Sequence, residues 1–306
     1  MTGHTGHTGH TGHTGHAGQI GGGGGAAGFA DRVDLPFVTV TLPGSLERLS
    51  DPGFRFGHAG SFGRHWTAPW KAWGVLAEFT DTEAWRNRQR RQADGTLAAG
   101  PGGLDLPGWQ ARLLAKAPPG STDVVPWVDA EIDALVLAAE TERADALGEI
   151  LSQDDGFVPE FLGLLGATPS THPATGALMD AAMLAGLAAV QHFKQVNDRP
   201  RPAQVCAALR PPVEGAGHAA YPSGHATQAF LIVRSLEAAF AGKAMLAALP
   251  ALTALATRIA RNREIAGLHY PSDGTAGTEL AGLLQAALQP VESFGAIQQA
   301  AAAEWG

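Results

Sequence analysis

The chain has 306 residues, is 45% hydrophobic and carries a formal net charge of −8. That length and composition suit a globular protein with a substantial core, and the acidic balance argues against a general nucleic-acid binder, which needs a basic face. A single cysteine, Cys206, excludes an intramolecular disulfide framework.

Residues 2–16 repeat Thr-Gly-His, and Gly21 to Gly25 follow. Such a segment buries nothing, so residues 1–28 are expected to be a disordered tail. Its histidines (His4, His7, His10, His13 and His16) read either as a loose binder of a transition metal or as a simple low-complexity repeat. The start lacks the basic-then-apolar pattern of a signal peptide, and a cytoplasmic location is expected. Residues 29–126 are rich in Gly, Pro and Trp and show little periodicity, which predicts loops and short helices wrapping a core. Within them Phe37-Val-Thr-Val-Thr-Leu42 alternates as a short strand does. Arg86 to Arg91 is a basic run beside Trp85, either a solvated face or a grip for an anionic substrate.

After Trp127 the periodicity becomes helical. Val128 to Ser152 reads as an amphipathic helix, and Thr175 to Val196 as a more buried one that stops at Arg199-Pro-Arg-Pro202. Further helices are expected at about His225 to Phe240, Ala244 to Arg263 and Asp273 to Leu288. The expected fold is all-α, with a helical core over 127–289 and a C-terminal segment over 290–306. No stretch reaches the roughly eighteen uncharged apolar residues of a membrane span; Ala244 to Thr257 comes nearest and holds Pro250. No transmembrane segment is expected.

Three stretches carry related chemistry: Lys194-Gln-Val-Asn-Asp-Arg-Pro-Arg201-Pro202, Tyr221-Pro-Ser223-Gly224-His225, and Arg263-Glu-Ile-Ala-Gly-Leu-His269-Tyr-Pro-Ser-Asp273. Among their residues are three cations (Lys194, Arg201, Arg263), two histidines (His225, His269), the Ser223 hydroxyl, the Gly224 amide and the Asp273 carboxylate, a set suited to a tetrahedral oxyanion such as phosphate or vanadate. The planar forks of Arg201 and Arg263 can each bind two oxygens of one phosphate, and Lys194 adds a point charge. Ser223 is a plausible N-cap, and Gly224 lets a helix N-terminus approach an anion. Asp273 lies four residues after His269; if both begin one helix, the carboxylate can hold one ring nitrogen and aim the other.

The order and spacing resemble the signature of the type 2 phosphatidic acid phosphatase and vanadium haloperoxidase superfamily: Lys, six residues, Arg-Pro; Pro-Ser-Gly-His; Arg, five residues, His, three residues, Asp. Every position is filled here, and Asn262 stands where the family often has Ser. The resemblance covers about Lys194 to Asp273. It implies an all-α bundle with an internal anion pocket, bound by Lys194, Arg201, Ser223, Gly224 and Arg263. It also implies His269 as nucleophile of a phosphohistidine intermediate, oriented by Asp273, and His225 as general acid.

In the superfamily's vanadium enzymes, the residue matching His269 would ligate vanadium and the one matching His225 would assist peroxide activation. The run His218-Ala-Ala-Tyr-Pro-Ser-Gly-His225 is similar to haloperoxidases, which makes His218 a candidate halide-site residue; the alternative is an ordinary loop histidine. Phosphomonoester hydrolysis asks less of its surroundings and fits a shorter chain, so a phosphatase without cofactor, acting on a small phosphoester, is the first expectation. The second is a vanadate-dependent haloperoxidase using halide and hydrogen peroxide. A phosphate-binding protein without turnover is the third, disfavoured because binding alone has no use for both histidines and Asp273.

Overall fold

The structure is a computed structural model that describes residues 67–306. The expected tail over 1–28 and the strand Phe37–Leu42 lie outside the described residues. From Ala68 onward the protein is all-α, as the periodicity predicts; among the described residues the strands are two-residue pieces.

The described chain opens with helix α1 (Ala68–Asp81) and the short α2 (Glu83–Arg86), followed by the hairpin of β1 (Arg90–Arg91) and β2 (Leu97–Ala98) and by α3 (Trp109–Leu114). Three arginines of the basic run make contacts within the protein. Arg86 pairs with Asp81 at 3.0 Å, Arg88 lies 4.2 Å over the Trp85 ring, and Arg91 donates to the Val196 carbonyl at 2.5 Å. That last contact satisfies a carbonyl at the end of a later helix, as a basic side chain there commonly does.

Next come α4 (Val125–Thr141), α5 (Arg143–Asp155) and α6 (Val158–Leu164). The single helix expected over 128–152 is thus two, broken at Glu142. Arg143 turns away there to donate to the carbonyls of Ile265 and Leu209 at 2.9 and 2.7 Å, a long-range bond that no local pattern reveals.

The centre of the fold is α7 (Pro173–Asn197), 25 residues long. It packs against α1, against α9 (Gly224–Ala239) and against α12 (Glu292–Ala303), and this encirclement is why its apolar residues run round more than one face. Between α7 and α9 lie the one-turn α8 (Pro202–Val205) and a 3₁₀ turn at Ala207–Leu209. A second 3₁₀ turn (Ala244–Ala248) leads into α10 (Leu249–Ile265), and α11 (Pro271–Leu288) precedes α12. The main core joins Phe79 of α1, Phe161 of α6, Met183 and Phe193 of α7, Leu236 of α9, Leu284 of α11 and Phe294 of α12. The helical body therefore extends beyond 127–289 on both sides, because α1 and α12 supply faces that α7 needs covered.

Among the described residues two stretches, Pro173–Val205 and Ala244–Ile265, are long and apolar enough by composition to cross a membrane, contrary to the expectation that none is. They reach that length by tolerating an occasional charge within the apolar run. In the first, 72% of the apolar window is buried inside the protein, as befits a core helix; in the second only 17% is.

The crossing of α9 and α11 is close because Gly277 has no side chain. A Cβ there would stand 2.7 Å from the Ser223 carbonyl oxygen and 2.9 Å from Ala226 Cβ. Gly277→Ala is expected to cost about 1–3 kcal/mol by overpacking, read as a lower midpoint in chemical denaturation.

Candidate active site

Each motif sits at a helix end, and the local sequence explains why. Lys194 lies in the last turn of α7, which closes where Asp198 adopts a left-handed conformation (φ 43°) and its N–H bonds the Lys194 carbonyl at 2.9 Å. Pro200 and Pro202 then bar further helix and hold the backbone of Arg201 between them. Ser223 caps α9, its Oγ accepting from Ala226 N–H at 3.4 Å. Gly224 and His225 follow in the first turn, whose amides have no intrahelical acceptor.

Arg263 occupies the last turn of α10. Beyond it Gly267 takes φ 77°, Leu268 N–H returns to the Arg263 carbonyl at 3.0 Å and Gly267 N–H to that of Glu264 at 2.8 Å. These paired bonds form a Schellman turn, which needs the left-handed glycine. The turn delivers His269 beside Arg263, so the five-residue spacing is the length of this reversal. His269 itself precedes the N-cap of α11, Tyr270, rather than lying inside the helix as the four-residue spacing suggests.

The motif side chains meet in the interior. Lys194, Arg201, Ser223, His225, Arg263, His269 and Asp273 are all buried. His269 Nδ1 lies 3.3 Å from Asp273 Oδ2, and its Nε2 lies 3.2 Å from Arg201 Nη1. An arginine only donates, so Nε2 carries the lone pair and Nδ1 the proton. His218 Nδ1 lies between Arg201 Nη2 at 3.0 Å and the Ala219 carbonyl at 3.2 Å, and Nε2 of that ring is buried without a partner among the described residues. His225 Nε2 donates to the Gln153 carbonyl at 3.1 Å.

The cations bond mainly to carbonyl oxygens. Lys194 Nζ donates to Ala219 and Ala220 at 2.6 and 3.0 Å, Arg201 to His218 and Leu268 at 3.0 and 2.9 Å, and Arg263 to Ile150 at 2.7 Å. Arg263 also lies 3.4 Å from Asp154, whereas neither Lys194 nor Arg201 has an ion pair among the described residues.

Residues 175–291 match the family model described as PAP2 superfamily. This stretch is similar to the PAP2 superfamily. It takes in all three motifs, and its all-α fold is the one the motifs imply. Comparison with curated proteins finds no match.

Burial and like charge shape the protonation of this site. Burial first, and Arg201 second, hold the Lys194 ammonium well below lysine's ordinary range. Burial pushes Arg201 and Arg263 down to about 10. It also lowers His225, with help from Arg263, and His269, with help from Arg201 and Lys194, while His218 falls to about 4. These imidazoles bind protons more weakly folded than unfolded, where they titrate near ~6.5. Below that pH the unfolded chain takes up more protons, so stability falls as pH falls. Each of the two fully buried rings, His225 and His269, contributes up to about 1.4 kcal/mol per pH unit. Urea midpoints measured from pH 7 to pH 5 are expected to drop steeply, and inorganic phosphate should lessen the drop. A flat profile would contradict this assignment.

Two residues of the cluster, Arg199 (buried) and Glu131 (half-buried), were not singled out by their sequence. Arg199 donates from Nη1 to Asp273 Oδ1 at 2.6 Å and from Nη2 to Glu131 Oε2 at 2.8 Å. Arg199 is two positions from Arg201 and looks like part of the same turn, and Glu131 reads as one of several acids along α4. Only the tertiary packing distinguishes them.

Proposed function

We propose that the protein is a phosphomonoester hydrolase acting through a phosphohistidine at His269. One observation carries this reading. Among the described residues, Lys194 and Arg201 are buried without a carboxylate at ion-pair distance, and the unprotonated Nε2 of His269 lies 3.2 Å from Arg201. Unpaired buried cations are costly, and an anion bound between them removes that cost. A phosphate with its oxygens on Lys194, Arg201, Arg263 and the α9 N-terminus would bring phosphorus to His269 Nε2.

In the first step Nε2 forms a bond to phosphorus as the ester P–O bond breaks, and the leaving oxygen takes a proton from His225. In the second, water attacks phosphorus and the P–N bond breaks, with His225 accepting the water's proton. To act as acid His225 must carry a second proton. Burial and Arg263 oppose this, and a dianionic phosphate favours it. Asp273 keeps the proton of His269 on Nδ1 and balances the charge that develops on the ring.

A second reading, vanadate-dependent halide oxidation, is supported by His218, which sits beside Arg201 with its Nε2 buried and unpartnered among the described residues. Vanadate suits the same three cations and the bare His269 Nε2, and when bound it would supply peroxide activation. A side-by-side assay separates the readings: p-nitrophenyl phosphate hydrolysis in one arm, and bromination with peroxide, bromide and added vanadate in the other. Hydrolysis without bromination supports the phosphatase, and the reverse result overturns it. Phosphate binding with neither activity would leave a binding protein.

A further inference from the structure

Arg199 and Glu131 take no part in the steps above, yet they are built into the back of the site. We propose that they are positioning residues, which lock the Asp273 carboxylate and through it hold His269 with Nε2 facing the anion cradle. The kinetic consequences rest on the phosphohydrolase reading; the consequence for the His269 tautomer does not.

The geometry divides the two oxygens of Asp273 between two tasks. Oδ2 accepts from His269 Nδ1 at 3.3 Å and from Tyr270 N–H at 3.0 Å, while Oδ1 accepts from Arg199 at 2.6 Å. The contact to His269 is long for a charged bond and cannot by itself fix the carboxylate. The short bond to Arg199 can, provided the guanidinium is itself immobile. Its Nη1 also donates to Ser272 Oγ at 2.7 Å, its Nη2 to Glu131 at 2.8 Å, and its carbon lies 3.7 Å over the Tyr270 ring and 5.0 Å from that of Trp109. Glu131 is anchored in turn: its Oε1 accepts from Ser272 N–H at 2.8 Å and its Oε2 from Ser272 Oγ at 2.8 Å.

Arg199 is therefore held at both ends of its fork and against aromatic faces, and it cannot swing toward a substrate. Burial alone would weaken its hold on the proton, but Asp273 and Glu131 more than reverse this. Two carboxylates around one guanidinium leave a net negative charge behind His269, opposite Lys194, Arg201 and Arg263 in front. That arrangement favours the proton on Nδ1 and the lone pair on Nε2.

A purely structural role, in which Glu131 merely staples α4 to the start of α11, makes a different forecast. It expects lower stability with the His269 tautomer unchanged. The test uses the full chain with Glu131→Gln, which keeps shape and removes charge, together with Arg199→Lys and Arg199→Gln. Nitrogen-15 NMR of the His269 ring reads the tautomer, and p-nitrophenyl phosphate kinetics read kcat and KM.

The expected result is an Nδ1–H ring in the wild type and a mixed population in Glu131→Gln. The kcat of Glu131→Gln should fall by about 10–100-fold, the usual effect of losing such a supporting partner, with KM nearly unchanged. Arg199→Lys should recover part of what Arg199→Gln loses. An unaltered tautomer and kcat in Glu131→Gln would overturn the proposal. Should Arg199→Gln fail to fold, Glu131→Gln and Arg199→Lys decide. Absence of hydrolysis in the wild type would instead count against the phosphohydrolase reading, and the NMR comparison would then decide alone.

Discussion

His269→Ala is expected to abolish phosphoester turnover, lowering kcat by at least ~10⁴-fold, the scale seen when a nucleophile is removed from a covalent mechanism. In the described structure Nε2 of this ring is unprotonated and turned to Arg201, and the proposal assigns the attack on phosphorus to it. Each of the three cations has anchors other than the ring. Lys194 is fixed by Ala219 and Ala220, Arg201 by His218 and Leu268, and Arg263 by Ile150. Vanadate and phosphate should therefore still bind the variant, measured by calorimetry or by the rise in thermal midpoint. Loss of binding together with turnover would point to collapse of the site instead of loss of a nucleophile.

Lys194→Met is expected to separate stability from function. The ammonium is buried next to Arg201, and burial and that charge hold it well below lysine's ordinary range. A lysine lowered in this way costs the folded state stability at every pH below that range. Methionine keeps the apolar stem and removes the charge, so the protein without bound anion should gain about 1 kcal/mol or more, as buried charges replaced by apolar groups often do. The two carbonyls left by Nζ oppose part of that gain. Activity should move the other way, with kcat/KM falling by ~10²–10³-fold, the scale for losing one preorganised donor to a developing oxyanion. Denaturation without and with phosphate, set beside kinetics, checks both halves. A variant less stable and still active would show that Lys194 is a structural residue.

The fold and the motif cluster were legible to different degrees, for physical reasons. Helical periodicity carried the all-α reading, and the prolines after Lys194 correctly ended α7. The Thr175–Val196 and His225–Phe240 expectations differ from the structure by only one or two residues at each end. The break at Glu142 was invisible because no proline or glycine marks it, and the Arg143 bonds beside it reach residues far along the chain. The membrane criterion misjudged α7, whose apolar length serves a core closed on several sides. In the site, the spacing from Arg263 to His269 was readable, but its cause, a glycine-dependent Schellman turn, required the backbone. Arg199 and Glu131 gave no sign at all, since they join across 68 positions of sequence and their environment exists only after packing.

The central claim, that His269 Nε2 attacks phosphorus, is tested most directly by trapping the covalent intermediate. Protein quenched during turnover of p-nitrophenyl phosphate should carry one phosphoryl group, and peptide mapping with ³¹P NMR should place it on Nε2 of His269. The other ring nitrogen is held by Asp273 and should remain unmodified. Turnover with no phosphohistidine at position 269, or with the phosphoryl group on another residue, would contradict the account.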